Sequence, residues 1–227
     1  QNASFLEQSV IFKRKHTWLM GVLYTGTFGS FIGYAAGFPL LITTQFPNAS
    51  LIWAPLGAAF GSLIRPVGGW VADKFGGARV TFWNFVVMIS AVGGVLFFLS
   101  IKEQPGAFYG FLIMFLILFT GTGIGNGSTF RMIPVIFRTF HERHVEGLDE
   151  ERQDEAQRNA LKEAGAALGF TSAIAAYGAF IIPKSYGTST NLTGGPEAAL
   201  YIFIAFYVVC CAICWWNYYR RDADIPC

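Results

Sequence analysis

The sequence predicts an all-α membrane protein with six transmembrane helices, and three observations support this. Of 227 residues, 53% are hydrophobic and only 13% are charged, whereas a soluble domain carries about 25% charged residues. The apolar residues form six runs of roughly 20 residues, the length that crosses the hydrocarbon core as a helix. The charges gather between the runs, where polar groups can meet water. The formal net charge of +2 comes from basic residues at run ends rather than on one surface, so a nucleic-acid partner is not expected.

In chain order the runs cover residues 18–41, 51–71, 80–101, 107–137, 160–183 and 198–216. Pro39, Pro55, Pro66, Pro134 and Pro183 lie within or at the ends of these runs, as membrane helices allow. The fourth run is long enough to tilt or to project beyond the bilayer. Charge then orients them. Lys13, Arg14, Lys15, Lys74, Arg79, Arg138, Arg143, Arg152, Arg158, Lys162, Arg220 and Arg221 fall on one side, against Lys102 and Lys184 on the other. The positive-inside rule makes the first side cytoplasmic, with both ends of this chain on it. Trp18, Trp53, Trp70, Trp83, Trp215 and Trp216 lie near run ends, as an interfacial aromatic belt requires.

This reading divides the chain into a cytoplasmic linker (1–17), a six-helix membrane unit (18–216) and a cytoplasmic tail (217–227). Within the unit, segment 138–162 is a cytoplasmic, partly helical connection that holds about half of all the acidic residues. Asp154 and Arg158 stand one helical turn apart in it. Its His141 and His144 have metal-ligand spacing, but no further ligands accompany them and a solvated loop is the simpler reading. Cys210, Cys211, Cys214 and Cys227 lack disulfide-framework or metal spacing. The chain starts at Gln1 and reads as a piece of a longer polypeptide.

Arg65 stands near the middle of the second run. A guanidinium stays charged at any ordinary pH, and at membrane depth it costs at least about 2.5–3.5 kcal/mol unless it lines a polar cavity. Gly57 and Gly61 share its face and would give it a narrow approach. Tyr24 and Phe28 lie one turn apart in the first run, and Gly165, Gly169, Ser172 and Ala176 share a face of the fifth. A guanidinium fork, two hydroxyls, close-approach glycines and aromatic walls suit a small planar oxyanion. A structural arginine bonded to helix carbonyls would need the same burial. Glycine repeats of this spacing also serve plain helix packing.

Arg131 lies in the cytoplasmic half of the fourth run, with an interfacial or gating role or direct substrate contact both open. Met132, on the face of Gly121, Gly125 and Ser128, is expected to line the pathway. No Asp or Glu lies in the middle of any run; Asp73 and Glu163 sit at cytoplasmic ends. That favours anion exchange over proton coupling within this part. No nucleophile–base pair or metal cluster suggests an enzyme, and no cofactor is expected.

Residues Gly69 to Arg79 (GWVADKFGGAR) resemble the loop motif of the major facilitator superfamily, between the second and third helices of a six-helix half. The resemblance implies gating roles for Asp73, Lys74 and Arg79. A closer similarity follows in FGSFIG (28–33), TQFP (44–47), GNGSTF (125–130) and GFTSAIAAYGAFIIP (169–183). These segments look like the nitrate/nitrite porter (NarK-type) family, the last like its nitrate signature. On that resemblance the six helices are helices seven to twelve, the carboxy-terminal half of a major facilitator fold. Nitrate or nitrite would bind Arg65, Tyr24, Phe28, Gly169 and Ser172, facing a second arginine from an amino-terminal half. The complete carrier is expected to be monomeric in the cytoplasmic membrane. Tyr177 departs from the small-residue signature and would narrow the path. Nitrate–proton symport and a non-transporting membrane subunit are the rival readings.

Overall fold

The computed structural model describes residues 9–143, 145 and 149–227, and all regular structure among them is helical. A 3-10 turn at Ser9–Lys13 leads into α1 (Lys15–Tyr24), a π-turn (Thr25–Gly29) and α2 (Ser30–Gln45). A second 3-10 turn, Leu51–Trp53, starts α3 (Ala54–Phe75), followed by α4 (Gly77–Ser100) and α5 (Ala107–Glu142). Then come α6 (Glu150–Ala176), α7 (Gly178–Thr193), α8 (Glu197–Cys214) and a closing π-turn at Trp215–Tyr219. By continuity these make six helices long and apolar enough to cross a membrane: Lys15–Gln45, Leu51–Phe75, Gly77–Ser100, Ala107–Glu142, Glu150–Thr193 and Glu197–Tyr219.

The spans follow the order of the apolar runs but extend past them, because a helix continues where polar residues replace apolar ones. The largest difference is the fifth. Apolarity suggests residues 160–183, yet the helix starts at Glu150 and ends at Thr193, with a break at Tyr177. Pro183 lies inside α7 and does not end it. With α5 reaching Glu142, most of segment 138–162 is helix rather than loop.

Two glycine rows set how closely the helices approach. On α3, a side chain at Gly61 would meet the Phe31 ring at 2.6 Å, and one at Gly57 would strike the Phe119 ring. On α5, side chains at Gly123 and Gly127 would run into the Gly61 and Arg65 carbonyls. The α3 and α5 backbones therefore touch, as small residues permit in lipid. The expected approach to Arg65 along Gly57 and Gly61 is filled by these rings. The second row joins the first and fifth spans: a side chain at Gly33 would lie 2.6 Å from the Gly178 carbonyl, and Gly37 abuts Tyr186.

Between these seams lies an aromatic core. Phe38 and Phe115 are 4.6 Å apart by ring centroids, with Phe111, Phe119 and Tyr34 around them, all fully buried. Three of the buried hydroxyls there are paired: Tyr207 donates to Ser30 Oγ at 2.8 Å and shares a 2.6 Å hydrogen bond with Tyr34. Thr27 and Thr129 likewise join the first and fourth spans at 3.1 Å. Helices α3 and α4 reverse through Gly76 alone, whose φ of +91° suits a residue without Cβ.

Candidate anion-binding site

The π-turn at Thr25–Gly29 interrupts the first span where two candidate residues sit. Its wider winding is bridged by Thr25 Oγ1 donating to the Gly21 carbonyl at 2.8 Å and Thr27 Oγ1 donating to Leu23 at 3.2 Å. Single π-turns inside α-helices occur often at functional sites. Here the turn sets the Tyr24 and Phe28 rings side by side, with centroids 5.3 Å apart.

Helix α3 brings Arg65 to these rings, its guanidinium carbon 5.5 Å from the Phe28 centroid. Helix α5 brings Asn126, which is fully buried. With its amide oxygen turned toward the guanidinium, Asn126 accepts from Arg65 Nε at 3.1 Å and Nη2 at 3.3 Å. Its amide nitrogen then donates to the Tyr24 hydroxyl at 3.2 Å, the assignment that satisfies both ends. Helix α6 adds Ser172, whose hydroxyl faces that of Tyr24. One turn earlier, Gly169 is exposed, and a side chain built on it meets no heavy atom within 4 Å.

The structure thus brings together Arg65, Tyr24, Phe28 and Ser172, and it adds Asn126. Sequence reasoning quoted Asn126 within GNGSTF but gave it no role. The available signal was a wholly buried amide between glycines, which must find partners. The guanidinium has five donors; Asn126 engages the Nε–Nη2 side and leaves the Nη1 end for a ligand. Among the described residues no carboxylate pairs with Arg65, and its observed acceptor is an amide rather than helix carbonyls. A cation fixed by a neutral amide keeps its positive charge for an anion.

The expected gating residues separate. Arg131 forms an ion pair with Asp73 at 2.9 Å across α5 and α3, both side chains about half exposed (57% and 52%). Lys74 lies 5.5 Å over both the Trp70 and Phe75 rings. Arg79 points elsewhere, into an apolar groove. Met132 is 1% exposed, packed on Gly77, and its sulfur accepts from Thr81 Oγ1 at 3.3 Å. It therefore faces α4 inside the bundle, because its side of α5 is the α4 seam, and does not open on a path. Tyr177 is 68% exposed at the α6–α7 break.

A second polar cluster closes the end that bears the basic segments. Arg14 bonds Glu163 through Nε and Nη2, both at 2.9 Å, and His141 Nε2 lies 3.3 Å from the same carboxylate. His141 is thus held by an acid; His144 lies outside the described residues. His16 Nδ1 is 3.0 Å from the Tyr218 hydroxyl. The Cys227 carbonyl accepts from the Ala78 amide at 3.0 Å, and burial pushes the Cys227 thiol up to about 12.

Six spanning helices joined along glycine seams, with a polar cluster around Arg65, are the architecture of one six-helix half of a major facilitator fold. No protein-family model matches the chain. The chain is 46% identical over 223 residues to the nitrate/nitrite transporter NarU of Salmonella typhimurium, covering 96% of this chain and 47% of that one. It is 44% identical over 223 residues to NarU of Escherichia coli, with the same coverage. To the probable nitrate/nitrite antiporter NarK2 of Thermus thermophilus it is 35% identical over 235 residues, covering 99% and 47%. The chain belongs to the NarK-type nitrate/nitrite porter family, and it spans about half the length of the curated relatives it matches.

Proposed function

We propose that this half forms one wall of a nitrate and nitrite carrier that exchanges the two anions by alternating access. The observation that carries this reading is Arg65, held by Asn126 and walled by Phe28, with no carboxylate beside it among the described residues. Arg65 is the anchor, Tyr24 and Ser172 orient the oxygens, Phe28 stacks on the planar ion, and Gly169 leaves room for it. Such carriers bind at the midplane between repeats and rock one half against the other. The names of the relatives support the substrates, and a second half supplies the opposing wall. The Asp73–Arg131 pair sits where it would tie α3 to α5 in one state of that cycle. The protein acts in the cytoplasmic membrane, with both ends of this chain in the cytoplasm. Exchange is favoured over proton symport by the lack of a carboxylate at the described site.

The test uses the intact carrier in proteoliposomes. Nitrite loaded inside is expected to accelerate nitrate entry, and collapsing the proton gradient is expected to leave it unchanged. A strict proton-gradient requirement without trans-stimulation would mean symport. Arg65→Lys replaces a planar fork with a point charge and is expected to lower nitrate uptake by about 10–100-fold, the equivalent of one charged hydrogen bond at about 1.5–3 kcal/mol. Unchanged flux would leave only the structural reading of Arg65.

A further inference from the structure

A groove of about 590 Å³ lies apart from the anion site, between α3, α4 and α5 and floored by α5. Its walls are Phe60, Val71 and Phe75 of α3, Trp83 and Val87 of α4, and Ile117 of α5 among other apolar groups. Four of these six, Phe60, Phe75, Trp83 and Val87, are more than 40% exposed. At about 100° per residue, Phe60, Val71 and Phe75 leave α3 roughly 80–140° away from Arg65. The groove therefore opens on a different side of α3 from the anion site.

Two features specify what fills it. The first is charge. Arg79 stands at the rim and has no acidic partner among the described residues. The nearby acid Asp73 is held by Arg131 at 2.9 Å. Lys74 lies 5.5 Å from the ring of Phe75, itself a wall of the groove, so a second cation borders the same end. The second is length. From Phe60 to Phe75 the groove follows about 22 Å of helix at 1.5 Å per residue. It starts at the charged helix ends and stops short of the about 30 Å needed to cross the hydrocarbon. An exposed slot about 22 Å long, cationic at one end and apolar elsewhere, matches one acyl tail below a negative headgroup.

We propose that this groove binds an anionic phospholipid, with its phosphate on Arg79 and Lys74 and one acyl chain along Phe75, Trp83, Val87 and Ile117. The lipid belongs to the leaflet on the side of the basic segments. Its tail covers apolar wall that the half leaves bare, and its headgroup sits next to the α3–α4 reversal at Gly76.

Trp83 lines the groove and reports on its occupant. The intact carrier, with Trp83 as its only tryptophan, is reconstituted in phosphatidylcholine vesicles with added phosphatidylglycerol or phosphatidylcholine brominated in the acyl chains. Brominated phosphatidylglycerol is expected to quench Trp83 at lower mole fraction than brominated phosphatidylcholine. Arg79→Gln is expected to shrink that preference about fivefold, the equivalent of about 1 kcal/mol per basic residue near an anionic surface. Val87→Phe fills the groove without touching the rim and is expected to reduce quenching by both lipids. Native mass spectrometry of the otherwise unaltered carrier is expected to show retained phosphatidylglycerol that Arg79→Gln loses. Equal quenching by both lipids would show bulk bilayer contact only. No quenching by either would show that protein covers the groove. Either result overturns the proposal.

Discussion

Two glycine rows with the same four-residue spacing do opposite things in this molecule. Gly123 and Gly127 on α5 lie against the α3 backbone, and a single added carbon at either would strike a carbonyl. Gly165 and Gly169 on α6 are exposed, and an added carbon there meets nothing within 4 Å. The first row is a seam that sets the distance between two helices. The second is a bare surface beside the candidate anion site. Spacing alone signals small-residue packing in both, so what separates them is whether another helix arrives.

Substitutions can break this contrast, and the largest effect belongs to the seam. Gly127→Leu is expected to push α3 away from Asn126, because the obstacle is the Arg65 carbonyl and the Gly69 amide nitrogen rather than a movable side chain. Overpacking of about 3 kcal/mol or more predicts loss of a monodisperse peak in size-exclusion chromatography of the intact carrier. Normal yield and unfolding temperature would show that the seam is loose.

Asn126 comes next, as the seam residue that also reaches the site. Asn126→Asp keeps the shape and the acceptor but adds a negative charge about 3 Å from Arg65, worth several kcal/mol in a partly buried site. Nitrate affinity is therefore expected to fall by about 100-fold or more, and by less in Asn126→Ala, which leaves the guanidinium free. If the alanine variant binds more weakly than the aspartate variant, the amide is not acting as a neutral holder. Binding measured by isothermal titration separates the two.

On the bare row the expected effects are smaller. Gly169→Val leaves the fold intact but crowds the ligand space, and overpacking of about 1–3 kcal/mol raises the apparent Km for nitrate by roughly 5–100-fold. An unchanged Km would place the ligand away from α6. Gly165→Ala is expected to raise helix stability by about 0.5–1 kcal/mol, seen as a higher unfolding temperature. A drop instead would mean that the row packs against something.

Part of the candidate site was legible in the sequence. Arg65 stood out because a permanent charge in an apolar run needs a reason, and Tyr24, Phe28 and Ser172 followed from helical spacing, with their roles then implied by resemblance. Asn126 did not, since an amide between glycines is equally at home in a turn or a seam. Met132, expected along the pathway, is buried against α4, because the face it shares with Gly121 and Gly125 packs there. The fifth span was drawn too short because apolarity marks where lipid lies, not where a helix stops.

The sequence by itself determined that the chain is a bundle of six membrane helices, since about 20 apolar residues without water can only satisfy their backbone as helix. It also determined that Arg65 needs a special environment. Only the tertiary structure decided which glycines are seams, that an amide rather than an acid steadies Arg65, and that Asp73 pairs with Arg131 while Arg79 turns to a groove. Those outcomes depend on which faces of distant helices meet. Local periodicity places a residue on its own helix, but not opposite its neighbour.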